Sequence, residues 1–168
     1  YSKIFRSNIA AILNISPDHL ERHKTLKNYI KAKFTLIKNQ TKKDYAVLNT
    51  NNIHIRKQTI TQNFSSKIIK INKQVSSLIL KKINNPYFMS EGNKENLLFV
   101  IEITKILKIK KENLFKVLNK FKGLKYRQQV IFRNKKLTII NDSKATSFSS
   151  STSILKSMSN VSWIVGGL

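Results

Sequence analysis

Three groups of residues give this chain its chemical possibilities. The first is a single lysine. Between His23 and Lys38, residues Leu26, Tyr29, Ile30, Phe34 and Ile37 follow the i, i+3, i+4 rule of an amphipathic helix. Lys24, Lys27, Lys31 and Lys38 fall on the opposite side. At about 100° per residue, Lys33 falls between Tyr29 and Ile37, inside the apolar stripe. A buried ammonium is costly unless it is paired, neutralised or chemically changed. The side chain therefore either snorkels to water or serves as a neutral amine of lowered pKa. Such an amine reacts with carbon dioxide to give a carbamate, which acts as a carboxylate and binds metal.

The second group is Asn14-Ile-Ser-Pro-Asp-His-Leu-Glu-Arg-His23. Asp18 and His19 are suited to a divalent cation or an anchored phosphate. A helix cap with Ser16 at the N-cap and Pro17 at N1 accounts for Ser16, Pro17 and Asp18, but not for His19. The third group is Asn141-Asp-Ser-Lys-Ala-Thr146, after an apolar strand and before a helix. Helix N-termini attract anions, Lys144 and Thr146 add donors, and Asp142 is an acceptor suited to ribose hydroxyls. A plain turn and cap uses the same residue types. Asn93 to Asn96 opens a further helix, and Arg127 stands in a connector. His23 and His54 read as surface or packing residues.

The elements that would position these groups alternate between strand and helix. Asn8–Asn14, Tyr45–Asn49 and Lys67–Ile71 read as buried strands, with helices over 23–38, about 52–58, 93–107 and 111–121. Short edge strands are predicted near Ile79 and Tyr87-Phe88. The alternation argues for an α/β fold with a parallel sheet. After the connector Lys122–Arg127, residues 129–141 read as two strands joined by a turn at Asn134-Lys135. A helix over 149–158 and a strand over Val161–Val165 follow. Both ends fall close to core strands, so the chain reads as a fragment.

The 168 residues suffice for a packed core, with 40% hydrophobic content. No apolar run approaches the roughly 18 residues of a membrane span, and no membrane insertion is expected. There is no secretory pattern at the start, and cysteine is absent, which fits a cytoplasmic location. The net charge of +24 raises nucleic acid as a partner. The lysines are spread along the chain, outnumber arginine and do not alternate with aromatics, so no nucleic-acid role is expected. Abundant Lys, Asn and Ile read as AT-rich codon bias.

In their order these segments resemble the Mur ligases. Ala11–His23 is similar to the motif Asn-(Ile/Val)-(Ser/Thr)-x-Asp-His-Leu-Asp-Arg, and Tyr29–Lys33 to the segment that ends in a carbamylated lysine. Ile140-Asn-Asp-Ser-Lys-Ala-Thr146 resembles a motif of the D-glutamate-adding branch, and Val165-Gly-Gly167 the next strand end. The resemblance implies an α/β fold: the rear of a central ATPase domain over residues 1–122, then the start of a Rossmann-like C-terminal domain over 123–168. It implies an ATP-dependent ligase of peptidoglycan precursor synthesis. ATP would phosphorylate the carboxylate of UDP-N-acetylmuramoyl-L-alanine, and the amine of D-glutamate would attack the acyl phosphate to give amide, ADP and phosphate. Mg²⁺ would neutralise the transferring phosphoryl group. By resemblance, His19 and carbamylated Lys33 would hold Mg²⁺ and Asn96 would face adenine. Arg127, Asp142 and Lys144 would contact ribose and phosphates, and Thr146 would help hold D-glutamate. A monomer is expected.

Departures from the family pattern are specific. The chain contains no Gly-x-x-x-x-Gly-Lys-Ser/Thr loop, and no glutamate follows one to hold a first Mg²⁺. Gly-x-His-Asn-x-x-Asn survives as Ser90-Glu-Gly-Asn-Lys-Glu-Asn96, and Ser147 replaces an asparagine. These 168 residues alone are expected to be inactive. The competing readings are a sister Mur or folylpolyglutamate-type ligase and, in another class, a basic nucleic-acid-binding module.

Overall fold

The computed structural model describes residues 4–17, 20–71, 81–146 and 148–166. The chain divides into two compact units: residues 1–76 with 98–109, and residues 77–97 with 110–168.

The first unit is built on a parallel sheet in the order β1 (Ile9–Ile12), β2 (Tyr45–Leu48), β3 (Lys67–Lys70). Ile9 pairs with Tyr45 and Tyr45 with Lys67, so the strands run in step. Ala46, Val47 and Leu48 are wholly buried, as the continuous apolar run of a central parallel strand requires. The β1–β2 crossover carries α1 (Leu20–His23) and α2 (Leu26–Lys38), and the β2–β3 crossover carries α3 (Ile53–Thr61). Tyr29, Phe34 and Ile37 of α2 pack with Ala10, Ile12, Ile15, Ala46, Leu48 and Ile55 in one core.

The helix expected to begin at His23 begins at Leu26 instead. Lys24 has φ 63°, which interrupts helical geometry, and Thr25 restarts it by accepting the Asn28 N–H at 3.1 Å. The cap expected from Ser16 and Pro17 would engage residues 18 and 19, which lie outside the described residues; α1 is described from Leu20. α3 is capped by Asn52, whose Oδ1 accepts from His54 and Ile55 while its Nδ2 donates to the Ile15 carbonyl at 2.9 Å. That bond ties the loop after β1 to the neighbouring crossover.

Asp44, at the entry to β2, is fully buried. It accepts from the Thr41 N–H at 2.7 Å and the Thr41 hydroxyl at 2.9 Å, and pairs with Arg6 Nε at 3.2 Å. The Thr41 backbone bond is the main cause holding its carboxyl below the usual range, assisted by the Thr41 hydroxyl and Arg6 and opposed by burial.

In the second unit, Pro86–Met89 forms a 3₁₀ turn rather than the edge strand expected at Tyr87-Phe88. Pro86 brings a fixed φ and no N–H, and Asn85 accepts the Tyr87 N–H at 3.0 Å, which closes a turn rather than a ladder. The strand expected near Ile79 lies outside the described residues. α4 (Glu91–Ile106) gives residues 91–97 to this unit and the rest to the first. α5 (Lys111–Lys120) follows, with its end secured by Asn85, whose Nδ2 donates to the carbonyls of Leu118 at 2.7 Å and Phe121 at 2.8 Å.

β4 (Gln129–Arg133) and β5 (Thr138–Asn141) form an antiparallel hairpin with an irregular register between Val130 and Phe132. Its turn is the one the sequence marks: Asn134 Oδ1 accepts the N–H groups of Lys136 and Leu137. α6 (Phe148–Lys156) follows. The strand expected over Val161–Val165 is absent. Ile164 is 96% exposed, and the segment has no hydrogen-bonded neighbour strand among the described residues, without which an apolar run does not become a strand.

Candidate functional site

The site builds outward from Asp142, which follows β5 and is half-buried. Its Oδ1 accepts the Gln128 N–H at 3.0 Å, and its Oδ2 accepts the Ser151 hydroxyl of α6 at 3.2 Å. Gln128 carries the connection onward. Its Oε1 accepts from Ser90 Oγ at 2.9 Å and from Asn93 Nδ2 at 3.0 Å. Asn93 also donates to the Tyr87 carbonyl at 2.7 Å. Ser90 caps α4, its hydroxyl accepting the Asn93 N–H at 3.4 Å and its carbonyl the Lys94 N–H at 2.9 Å. Ser90 is thus the start of the helix.

This network brings three stretches together: the first turn of α4, the connector before β4, and the loop after β5. The Lys144 N–H donates to the Tyr126 carbonyl at 3.0 Å, a second tie between connector and loop. Arg127 lies between the two ties. Tyr87 reports the charge of the region. Burial pushes its hydroxyl above the usual phenol range, with Arg127 opposing and Asp142 reinforcing the shift. Arg127 and Asp142 therefore both act electrostatically on the same ring.

Of the residues singled out in the sequence, Arg127, Asp142 and Lys144 come together here. Asn96 lies one turn beyond Asn93 on α4, exposed, and Thr146 is exposed two residues past Lys144. Gln128 and Ser151 were not foreseen. The only signal was the polar pair Gln128-Gln129 in a connector otherwise rich in basic residues, and a serine-rich helix.

The metal half reads differently. Asp18 and His19 lie outside the described residues. Lys33 is exposed rather than buried in the apolar stripe, and its Nζ sits 5.2 Å from the centroid of the Tyr29 ring. The same ring meets His23, at 5.1 Å between centroids. The physical reason is the reach of the stem. Its four methylenes let the ammonium meet both water and the ring quadrupole, so a position central on the helical wheel need not bury its charge. Among the described residues there is no group of three or more His, Asp or Glu that could hold a metal ion. The described residues do not by themselves supply an Mg²⁺ site.

The comparisons agree with this architecture. The family model described as Mur ligase middle domain matches residues 1–121, and the chain belongs to the Mur ligase family. Proteins named UDP-N-acetylmuramoylalanine--D-glutamate ligase are similar along nearly all of it. That from Rickettsia felis is 31% identical over 99% of this chain and 41% of its own length. That from Oenococcus oeni is 33% identical over 97% of this chain and 40% of its own length. The chain thus spans about two fifths of the curated relatives it matches. The crystal structure of MurF from Acinetobacter baumannii shares the fold with a TM-score of 0.62 at 16% identity, covering 84% of this chain and 35% of that one. Among the described residues no helix is long and apolar enough to cross a membrane.

Proposed function

We propose that the chain is part of a cytoplasmic ATP-dependent amide ligase that joins D-glutamate to UDP-N-acetylmuramoyl-L-alanine through an acyl phosphate. The observation that carries this reading is the likeness to ligases of that name across both units, which includes Asn141-Asp-Ser-Lys-Ala-Thr146. In this reading the domain boundary falls at residue 122, beside the end of the family match at 121.

Asp142 accepts from the nucleotide ribose with the lone pairs left beside its bonds to Gln128 and Ser151. Arg127 and Lys144 supply positive charge for phosphate oxygens, and Asn96 offers its amide to the adenine edge. Thr146 donates to D-glutamate. His19 and a carbamate on Lys33 are the candidates for Mg²⁺, and they rest on the family likeness alone. An exposed Lys33 is open to carbon dioxide.

The test is ADP release by the whole protein with UDP-N-acetylmuramoyl-L-alanine and one amino acid at a time. D-Glutamate alone should support turnover. Turnover with L-alanine, a diamino acid or glutamyl-folate in place of D-glutamate would move the chain to a sister ligase.

A further inference from the structure

Tyr126 and Gln128, on either side of Arg127, both hold left-handed backbone, with φ 64° and 47°. Neither is glycine, and neither is among the residue types that favour this region. Strain of this kind persists only where surrounding contacts over-determine it, and it concentrates at ligand clamps. The contacts are visible here. Gln128 Oε1 is gripped by Ser90 and Asn93, the Gln128 N–H holds Asp142, and the Tyr126 carbonyl receives the Lys144 N–H. The Tyr126 N–H is also engaged, donating to Gln129 Oε1 at 2.9 Å.

We propose that Gln128 is a positioning residue of the nucleotide site: its side chain, anchored on the first turn of α4, holds the strained connector so that Arg127 and Asp142 face the same ligand. The proposal rests on the reading of Arg127 and Asp142 as nucleotide contacts. Gln128 itself need not touch the nucleotide. The side-chain bonds fix where residue 128 sits, and its backbone N–H then fixes one oxygen of Asp142. Ser151 fixes the other oxygen independently, so loss of the anchor frees the connector and leaves α6 in place.

Two substitutions separate positioning from simple stability. Gln128→Ala removes the anchor and keeps a side chain that resists left-handed backbone. Gln128→Gly removes the anchor and the resistance together. In the whole protein, both should raise KM for ATP at least tenfold and leave KM for D-glutamate within twofold. Gln128→Gly should melt at a higher temperature than Gln128→Ala without recovering the KM for ATP. KM for ATP within twofold of wild type in either variant overturns the proposal. So does a KM that recovers along with stability in Gln128→Gly. If Gln128→Ala does not fold, Gln128→Gly carries the comparison. Calorimetric titration with ATP alone separates this proposal from the substrate reading. A wild type that binds ATP but does not use D-glutamate, with weaker ATP binding in the variants, upholds the role of Gln128 and refutes the proposed amino-acid substrate. A wild type that does not bind ATP refutes both.

Discussion

Gly123 is the position where one added methyl group should do most harm. It has φ +78°, which costs an alanine about 1–2 kcal/mol by crowding Cβ against the following carbonyl. The same Cβ would lie 2.6 Å from Tyr87 Cε2 and 2.7 Å from Cδ2, well inside van der Waals contact. The ring is not free to retreat, since it meets Phe88 edge-on at 5.2 Å and Phe121 at 5.1 Å. Overpacking of a constrained site costs about 1–3 kcal/mol. Together the two effects predict that Gly123→Ala destabilises the protein by about 2–5 kcal/mol. Gly166 is the internal control: a methyl group there would meet no atom within 4 Å, and Gly166→Ala should change stability by less than about 0.5 kcal/mol. Urea unfolding of the two variants beside wild type measures both values. A Gly123→Ala protein within about 0.5 kcal/mol of wild type would refute the reasoning, because neither the left-handed backbone nor the packed ring would then hold in solution.

Three further substitutions test other parts of the structure. Asn85→Ala leaves the carbonyls of Leu118 and Phe121 without their amide and should cost about 2–4 kcal/mol in urea unfolding. Asp44 has a folded pKa below its unfolded value, so its contribution is present above the ordinary carboxylate range near about 4 and is lost as pH falls through the lowered value. Asp44→Asn should lower the melting temperature at pH 7 and flatten its decline on acidification, as thermal scans from pH 7 to 3 would record. Lys33→Ala should leave stability within about 1 kcal/mol, because it removes only an exposed ammonium stacked on Tyr29, yet abolish amide formation by the whole protein. Full turnover by that variant would remove Lys33 from the proposed metal site.

Local patterns were legible because they depend on residues a few positions apart. The periodicity of α2 and α4, the apolar runs of β1 and β2, and the turn at Asn134 each appear where side-chain spacing marks them. Spacing failed where a backbone exception or a missing neighbour intervened. Lys24 breaks the helix that the apolar stripe suggests, Pro86 turns an aromatic pair away from a strand, and Val161–Val165 lacks a partner to pair with among the described residues. Lys33 shows the limit of the helical wheel, which gives the direction of a Cβ but not the reach of four methylenes beyond it.

The sequence by itself determined the α/β class, the parallel strands, and the nomination of Arg127, Asp142 and Lys144. Only the tertiary structure decided that Gln128 joins Asp142 to Ser90 and Asn93, and that Lys33 stands in water. The reason is geometric. Secondary structure follows from steric and hydrogen-bond preferences within one turn or one strand, which composition and period encode. A contact such as Ser90 to Gln128 joins residues 38 apart in the chain and has no period of its own. It exists because two left-handed residues and a helix cap bring those atoms to one place.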